Sequence, residues 1–233
     1  MTSDHRPGPA TDPGPDVGPA GATRADVEAE LAAYYQEESG LRHGRPVEGR
    51  RADARDRALA GVLAPLRGRL LLDLGSGPGR DTAALREAGH EVVAVDLAPA
   101  NARAAGAPAL VASAVELPLA DGSVAGVWSM SALMHVPTVA IGAALRELAR
   151  VVAPGGPLVL GTWGGPDREE RLLNPELGLP RLFSRRSDPV WRRLLEREVG
   201  RVERFESWTD VGADDWRYQF VEVRTGAGGR AGS

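Results

Sequence analysis

LLLDLGSGPGRD, residues 70–81, is the most informative segment of the chain. An apolar strand runs into Gly75, Gly77 and Gly79, and a helical pattern begins directly after them. Glycine permits positive φ angles and lets a ligand approach the backbone where a side chain would collide. A strand, a glycine loop and a helix in this order are typical of a doubly wound α/β sheet, in which ligands bind at the carboxyl ends of the strands.

Apolar runs alternate with amphipathic segments after this loop. The predicted strands are residues 70–74, 91–96, 109–113, 124–129 and 157–163, and the predicted helices between them are residues 80–88, 100–105 and 139–152. Such alternation implies right-handed parallel crossovers and a sheet covered on both faces. Two later β-like runs, 202–208 and 216–223, have only a polar link between them and should pair antiparallel. The predicted fold class is an α/β three-layer sandwich with a seven-stranded, mostly parallel sheet and an antiparallel C-terminal strand pair.

The residues around the loop indicate the class of ligand. Asp96 ends the second predicted strand, where a carboxylate can accept hydrogen bonds from both hydroxyls of a ribose. The loop reads G-x-G-x-G, whereas nicotinamide and flavin sites favour G-x-G-x-x-G. Asp73 stands two residues before the loop, and its charge disfavours an anionic pyrophosphate but not an ammonium or a sulfonium. The loop therefore favours a positively charged adenosine derivative.

Four stretches, in order, resemble class I (Rossmann-like) S-adenosylmethionine-dependent methyltransferases. DLGSGPG (73–79) is similar to the family's first motif, and EVVAVD (91–96) is similar to its acidic second motif. ELPLADGSVAGVWSMSALMHV (116–136) resembles the family's stretch through the fourth strand, and ALRELARVVAPGGPLVLGTW (144–163) resembles the helix and fifth strand after it. The similarity covers residues 68–163 well and continues weakly to residue 223. It implies a methyltransferase of the small-molecule type with S-adenosyl-L-methionine as cofactor.

The resemblance also implies a role for each matched residue. It assigns Asp73, Gly75, Ser76, Gly77 and Gly79 to the methionine portion, Asp96 to the ribose, Leu97 to the adenine face, Ser113, Ala114 and Val115 to the adenine amino edge, and Ser129 and Met130 to the region under the sulfonium. Tyr34 or Tyr35, on a leading helix, would close over the cofactor. The family usually has Asp where Ser113 stands and Phe-Asp where Val124-Ala125 stand. Neither departure touches the glycine loop, so we expect cofactor binding to persist with a weaker bond to the adenine.

His135 is the candidate for acid–base chemistry. Methyl transfer from a sulfonium is an in-line displacement that needs proximity and orientation, so no metal site is predicted. A general base is needed only when the acceptor carries a proton, and His135 follows the fourth predicted strand at its carboxyl end. The alternative is a hydrogen-bonded histidine in the pocket wall. His5, His43 and His90 lie in the tail, in a loop and at the opposite end of the sheet.

The segment 164–188 is long for a connection and carries leucines and a phenylalanine among arginines. We expect a functional loop that covers the acceptor pocket, with Trp163 at its base. Arg181, Arg185 and Arg186 either recognise an anionic acceptor or form a solvated charged face, and the second interpretation is favoured.

Composition bounds the remaining possibilities. The 233 residues contain 42% hydrophobic residues, no cysteine and no lysine, which excludes disulfides, a cysteine nucleophile and Schiff-base chemistry. A formal net charge of −4 disfavours a large nucleic-acid footprint. With no long apolar run and no secretory signal, cytoplasm is the default compartment. The expected partners are a small-molecule acceptor, no nucleic acid and no membrane, and the chain is expected to be a monomer or homodimer.

The chain divides into one domain and two tails. Residues 1–24 and 224–233, rich in glycine, proline and small polar residues, are predicted to be disordered. Residues 25–223 form the methyltransferase domain, with N-terminal helices (25–67), a cofactor-binding core (68–163), an acceptor-covering segment (164–188) and a last helix with the strand pair (189–223).

Three alternatives remain open at this point. A methyltransferase acting on protein or RNA is disfavoured by the acidic balance and by the absence of an N/D-P-P-Y/F motif after the fourth strand. A nicotinamide-dependent oxidoreductase is disfavoured by the glycine spacing and by the absence of a Tyr-x-x-x-Lys pair. A non-catalytic Rossmann-like binding module is compatible with the two departures from the family pattern.

Overall fold

The computed structural model describes residues 23–42, 47–106, 108–209 and 215–226. The predicted tails therefore lie outside the described residues except at their inner ends, and so do His5 and His43. The helices are α1 (Arg24–Arg42), α2 (Arg50–Ala58), α3 (Arg80–Glu87), α4 (Pro99–Ala105), α5 (Ile141–Val151) and α6 (Asp188–Glu198). The strands are β1 (Leu70–Leu74), β2 (Glu91–Asp96), β3 (Ala109–Val111), β4 (Gly126–Met130), β5 (Pro157–Gly164), β6 (Arg168–Asn174), β7 (Leu179–Arg185), β8 (Gly200–Trp208) and β9 (Arg217–Thr225).

The main sheet confirms the predicted fold class. Its seven strands follow the order β3-β2-β1-β4-β5-β9-β8. The first five strands in this order are parallel, whereas β9 is antiparallel to both β5 and β8. Chain order reverses direction across the sheet between β1 and β4, which is where doubly wound sheets bind ligands.

Alternating side chains of β1 bury opposite faces of this sheet. Leu72 belongs to the same buried apolar cluster as Leu145 and Leu148 of α5 and Trp191 of α6. Leu71 packs on the other face with residues of α2 and α3. Both faces are therefore covered, as expected for parallel strands with continuous apolar sequences.

The register between β1 and β2 places the glycine loop and Asp96 at the same edge of the sheet. Leu70 lies opposite Glu91 and Leu74 lies opposite Val95, so β1 and β2 end together. The backbone N–H groups of Gly75 and Ser76 both donate to the carbonyl of Val95, at 2.7 and 3.1 Å. The loop is thus anchored to the end of the neighbouring strand.

The segment 164–188 is a β-hairpin, and the prediction of a loop is wrong. β6 and β7 form a separate two-stranded antiparallel sheet, with Asn174 opposite Leu179 at its tip. Asn174 Oδ1 accepts hydrogen bonds from the backbone N–H groups of Glu176 and Leu177, and Gly178 has φ 64. The adjacent apolar residues Leu172 and Leu173 break the period-two alternation that would have predicted a strand.

Other boundaries differ by a few residues. β9 continues to Thr225, two residues past the predicted end at 223, because the Thr225 backbone N–H donates to Gly156. The second helix continues past Ala58 as a π-helical turn (Leu59–Leu63) and a 3₁₀ turn (Ala64–Leu66), so the end of the predicted N-terminal helical region (25–67) is composite. In the described ranges, no helix is both long and apolar enough to cross a membrane.

Candidate active site

A cavity of about 780 Å³ lies at the carboxyl ends of the parallel strands. Its wall comes from the glycine loop, the ends of β2 and β3, the residues after β4, one face of α1 and the start of α2. Its volume falls within the usual range of small-molecule sites, about 300–1,000 Å³. The site therefore lies where the strand order predicts one.

The glycines of the loop have two different roles. Gly75, Gly77 and Gly79 have φ angles of 69, 55 and 92. A Cβ on Gly75 would overlap Ala132, and a Cβ on Gly79 would overlap the backbone of Ala105 on α4. A Cβ on Gly77 would meet no atom of the described residues within 4 Å. Gly75 and Gly79 are thus required by packing, whereas Gly77 lies at the open face of the loop.

Asp96 connects this loop to the end of β2. Its Oδ2 accepts a hydrogen bond from the Gly77 backbone N–H at 2.9 Å. Its Oδ1 accepts from the Ala98 backbone N–H at 2.9 Å and from Asn101 Nδ2 at 3.2 Å. Asp96 lines the cavity while remaining 8% exposed. The carboxylate therefore orients the loop and also forms part of the cavity wall.

Two further carboxyl groups, those of Asp73 and Asp81, lie near the loop. Burial, together with the negative charge of Asp81, raises the pKa of Asp73 to about 7, although Thr82 Oγ1 donates a 2.6 Å hydrogen bond to it. Burial acts in the same direction on Asp81, but Arg55 and Arg80 outweigh it and lower the pKa of Asp81 below its usual value. Asp73 is thus about half protonated near pH 7, whereas Asp81 is ionised.

Carboxyl groups outnumber guanidinium groups in the cavity wall. The carboxyl residues are Glu28, Glu38, Glu48, Asp73, Asp81, Asp96 and Glu176, and the arginines are Arg51, Arg55 and Arg80. Arg55 and Arg80 both form ion pairs with Asp81. The net charge of these side chains is negative, which favours a cationic ligand over an anionic one.

The β3 end of the cavity contains a carboxylate that sequence patterns missed. Ser113 Oγ donates to Glu28 Oε1 at 2.7 Å and accepts from the Val115 backbone N–H at 3.2 Å. Glu28 lies on α1 and reaches the cavity only through the tertiary fold. α1 therefore supplies a carboxylate beside Ser113, the position at which the sequence pattern lacks one.

The opposite end of the cavity is built around His135. Its Nδ1 lies 2.6 Å from the Leu182 carbonyl oxygen, and its Nε2 lies 2.6 Å from Tyr35 Oη. The imidazole is 6% exposed, and both His135 and Tyr35 line the cavity. Trp163 lies in the same wall.

Comparisons with known proteins agree with this geometry. Residues 72–160 match a family model described as a methyltransferase domain. An uncharacterized methyltransferase of Mycobacterium tuberculosis is 39% identical over 156 residues, which cover 64% of this chain and 61% of the relative. The crystal structure of Burkholderia thailandensis 1,6-didemethyltoxoflavin-N1-methyltransferase, with bound 1,6-didemethyltoxoflavin and S-adenosylhomocysteine, has a TM-score of 0.69 at 24% identity and covers 91% of this chain and 94% of that one.

Residues 72–160 form a class I methyltransferase domain. The cofactor of this class is S-adenosyl-L-methionine. A 2-methyl-6-phytyl-1,4-hydroquinone methyltransferase of Synechocystis is 34% identical over 116 residues, 46% of this chain and 36% of the relative. The aligned part of the chain spans about three fifths of the mycobacterial relative's length.

Most of the predicted site residues of the methyltransferase domain lie in the cavity wall. They are Asp73, Gly75, Ser76, Gly77, Asp96, Leu97, Ser113, Ala114, Val115, Met130 and His135. Tyr34, Gly79 and Ser129 do not line it. Ser129 Oγ instead donates to the Leu74 carbonyl at 3.0 Å, so it supports the strand beneath the loop.

Tyr34 is a core residue, and assigning it to the cofactor is wrong. Its side chain is fully buried, its hydroxyl donates to Glu38 Oε1 at 3.0 Å, and Asn174 Nδ2 donates to the hydroxyl oxygen at 2.9 Å. Tyr35, the neighbouring residue on α1, lines the cavity instead. The two side chains differ by about 100° around the helix, and only packing decides which one faces the site.

The three arginines of the hairpin region are structural. Arg185 is paired with Glu170 at 2.9 Å and Asp215 at 2.8 Å, with its side chain 2% exposed. Arg186 donates to the carbonyls of Ser184 and Val136, and burial lowers its pKa to about 10. The Arg181 guanidinium lies 4.9 Å from the Tyr34 ring centroid, and the side chain is 12% exposed. They neither form a solvated face nor line the cavity.

Other wall residues were missed by sequence reasoning. The Arg51 guanidinium lies 5.5 Å from the Trp163 ring centroid, and Arg55 is one helical turn further along α2. Their spacing of four residues is the signal that places both on one helix face. Ser131 has φ 58, a conformation that non-glycine residues rarely adopt and that concentrates at functional sites.

Proposed function

We propose that this protein transfers a methyl group from S-adenosyl-L-methionine to a small-molecule acceptor. The observation that carries the proposal is a single carboxylate-rich cavity that joins the glycine loop and Asp96 to Tyr35, His135 and Trp163. One end has the chemistry for a cationic nucleoside, and the other has an aromatic and titratable wall. A methyltransferase needs both ligands in one crevice, because the reacting atoms must be brought into line.

The cofactor end fits the donor residue by residue. When bound, S-adenosyl-L-methionine supplies an electrophilic methyl group on a cationic sulfur. The backbone of Gly75, Ser76 and Gly77 would hold the methionine portion, and Asp96 would accept the ribose hydroxyls. Leu97 would contact the adenine, with Ser113, Ala114 and Val115 at its amino edge, and Met130 would lie near the sulfonium. Gly79 and Ser129 would act indirectly, through packing and through the Leu74 carbonyl.

The acceptor end supports a small molecule. Leu133, Met134 and Trp163 give it apolar surface, and Arg51 gives it one cation. Two of the similar proteins are named for small molecules, 2-methyl-6-phytyl-1,4-hydroquinone and 1,6-didemethyltoxoflavin. We infer an acceptor that is partly apolar and small enough to be enclosed between α1 and the turn after β4.

Calorimetry tests the cofactor assignment. We expect S-adenosylhomocysteine to bind with micromolar affinity and NAD to give no binding signal, because the cavity is negatively charged. Asp96→Ala should lose about 1–3 kcal/mol of binding free energy. Asp121→Ala, at a side chain that is 82% exposed and outside the cavity, is the matched control. NAD binding, or an unchanged titration for Asp96→Ala, would contradict the assignment.

A label-transfer assay tests the acceptor class. The protein is incubated with methyl-labelled S-adenosylmethionine and a bacterial extract, and the extract is then separated by ultrafiltration. We expect the label in the filtrate with the small molecules. Label retained with protein or RNA would instead support the macromolecular alternative.

A further inference from the structure

The His135 imidazole is held from both sides. Its Nδ1 contacts the Leu182 carbonyl oxygen of β7, and its Nε2 contacts the Tyr35 hydroxyl of α1, each at 2.6 Å. The ring also lies 5.0 Å from the Phe183 ring, centroid to centroid. Two segments that are distant in sequence from His135, α1 and β7, therefore fix its side chain at the cavity wall.

The partner of Nδ1 determines which nitrogen is basic. A carbonyl oxygen only accepts hydrogen bonds, so Nδ1 must carry the hydrogen. In the neutral ring, Nε2 then has the lone pair and accepts from the Tyr35 O–H. If the ring gains a proton, Nε2 donates to the same oxygen. The contact between Nε2 and Tyr35 Oη therefore persists in both protonation states without any rearrangement.

We propose that Tyr35 is the group that takes the acceptor's proton, with His135 as the positioning residue that receives the Tyr35 proton in turn. The proposal rests on the proposed function. It replaces the prediction that His135 contacts the acceptor directly, because the basic nitrogen of His135 is already engaged by the Tyr35 hydroxyl. Both side chains line the cavity, and Tyr35 is the more exposed of the two.

The step balances in atoms and charge. The acceptor's lone pair forms a bond to the methyl carbon, and the carbon–sulfur electron pair moves to sulfur to leave a thioether. The acceptor's proton passes to Tyr35 Oη while the Tyr35 proton passes to His135 Nε2. The resulting imidazolium keeps its Nδ1–H bond to the Leu182 carbonyl and is stabilised by it. Solvent removes the extra proton after the product leaves.

The neighbouring tyrosine provides a matched control. Tyr34 lies on the same helix and also has a buried, hydrogen-bonded hydroxyl, but that hydroxyl contacts Glu38 and Asn174. Tyr34→Phe and Tyr35→Phe each remove one oxygen atom. Only the second variant removes the proposed proton acceptor.

The first test is spectroscopic and needs no acceptor. Two-bond ¹H–¹⁵N correlation spectra of the full-length protein, saturated with S-adenosylhomocysteine, report which nitrogen of His135 carries hydrogen. His135→Gln assigns the signals. We expect the neutral ring to be protonated at Nδ1, and Tyr35→Phe to shift the Nε2 resonance while Tyr34→Phe leaves it unchanged. A neutral ring that carries its hydrogen on Nε2, or an Nε2 resonance insensitive to Tyr35→Phe, would overturn the proposal.

The second test is kinetic and uses the filtrate fraction that accepts labelled methyl groups. Tyr35→Phe and His135→Gln should each lower kcat by about 10²–10⁴-fold. The double variant should be no slower than the worse single variant, because residues that act as a unit are non-additive. Losses that multiply, or wild-type kcat in Tyr35→Phe, would contradict the relay. If wild-type protein fails to bind S-adenosylhomocysteine, the proposed function fails, whereas an intact titration with the wrong tautomer rejects only the relay.

Discussion

The two ends of the cavity are built in different ways. At the cofactor end, the consecutive residues 74–78 form part of the wall, and Asp96 accepts a hydrogen bond from the backbone of Gly77. At the acceptor end, Tyr35, His135 and Leu182 meet although they lie in three distant segments. One end is defined by local chain geometry, and the other is defined by side chains that converge only in the folded protein. The cofactor end should therefore respond most to backbone changes, and the acceptor end to side-chain truncation.

The largest expected effect comes from a pair of glycine variants at the cofactor end. Gly75→Ala combines a positive φ with overlap against Ala132, and we expect a loss of about 2–5 kcal/mol in unfolding free energy. Gly77→Ala carries only the conformational cost, about 1–2 kcal/mol. Chemical denaturation measures both losses. Equal losses in the two variants would show that local packing does not distinguish these glycines.

A second prediction concerns pH and Asp73. Its pKa is raised from 3.8 to about 7 in the folded protein, so between these values the folded state holds a proton that the unfolded state has released. The contribution of Asp73 to the unfolding free energy is greatest below pH 3.8. It falls as pH rises toward 7, by at most about 1.4 kcal/mol per pH unit.

The Asp73→Asn variant isolates that contribution from those of the other carboxyl groups. The difference in unfolding free energy between wild type and variant should change steadily from pH 5 to pH 7 and level off above it. A difference that is independent of pH would show that Asp73 is ionised throughout this range.

A third, smaller effect is expected at the acceptor end. Arg51→Ala removes the guanidinium beside Trp163 and should weaken acceptor binding by about 0.5–2 kcal/mol, seen as a higher KM. Its S-adenosylhomocysteine affinity should stay at the wild-type value. Arg57→Ala on the same helix, whose guanidinium pairs with Glu206 outside the cavity, is the matched control. A loss of cofactor affinity in Arg51→Ala would show that the two ends are not separable.

The smallest expected effect is a deletion. Removing residues 1–22 should leave the melting temperature and the S-adenosylhomocysteine affinity unchanged, because that composition offers little apolar area to bury. Extending the deletion through Tyr35 should lower the melting temperature and the affinity, since it also removes Val27 and Leu31 from the core. A fall of several degrees for the shorter deletion would contradict the composition argument.

The same contrast explains what the sequence could and could not predict. Strand order, the glycine loop and Asp96 follow from local patterns, because apolar runs and glycine spacing act over a few residues. The choice between Tyr34 and Tyr35 depends on how α1 packs against β7, which periodicity does not encode. The Glu28–Ser113 and Tyr35–His135 contacts join residues 85 and 100 positions apart, and no local pattern signals such pairs.

Trp163 gives the protein an internal optical reporter. Among the described residues it is the one tryptophan in the cavity wall, and the Arg51 guanidinium lies over its ring. Indole emission depends on nearby charge and on exposure to water. An acceptor that moves the Arg51 guanidinium or displaces water should therefore change the wavelength and intensity of the fluorescence. Occupancy of the acceptor end would then be visible in real time without any added label.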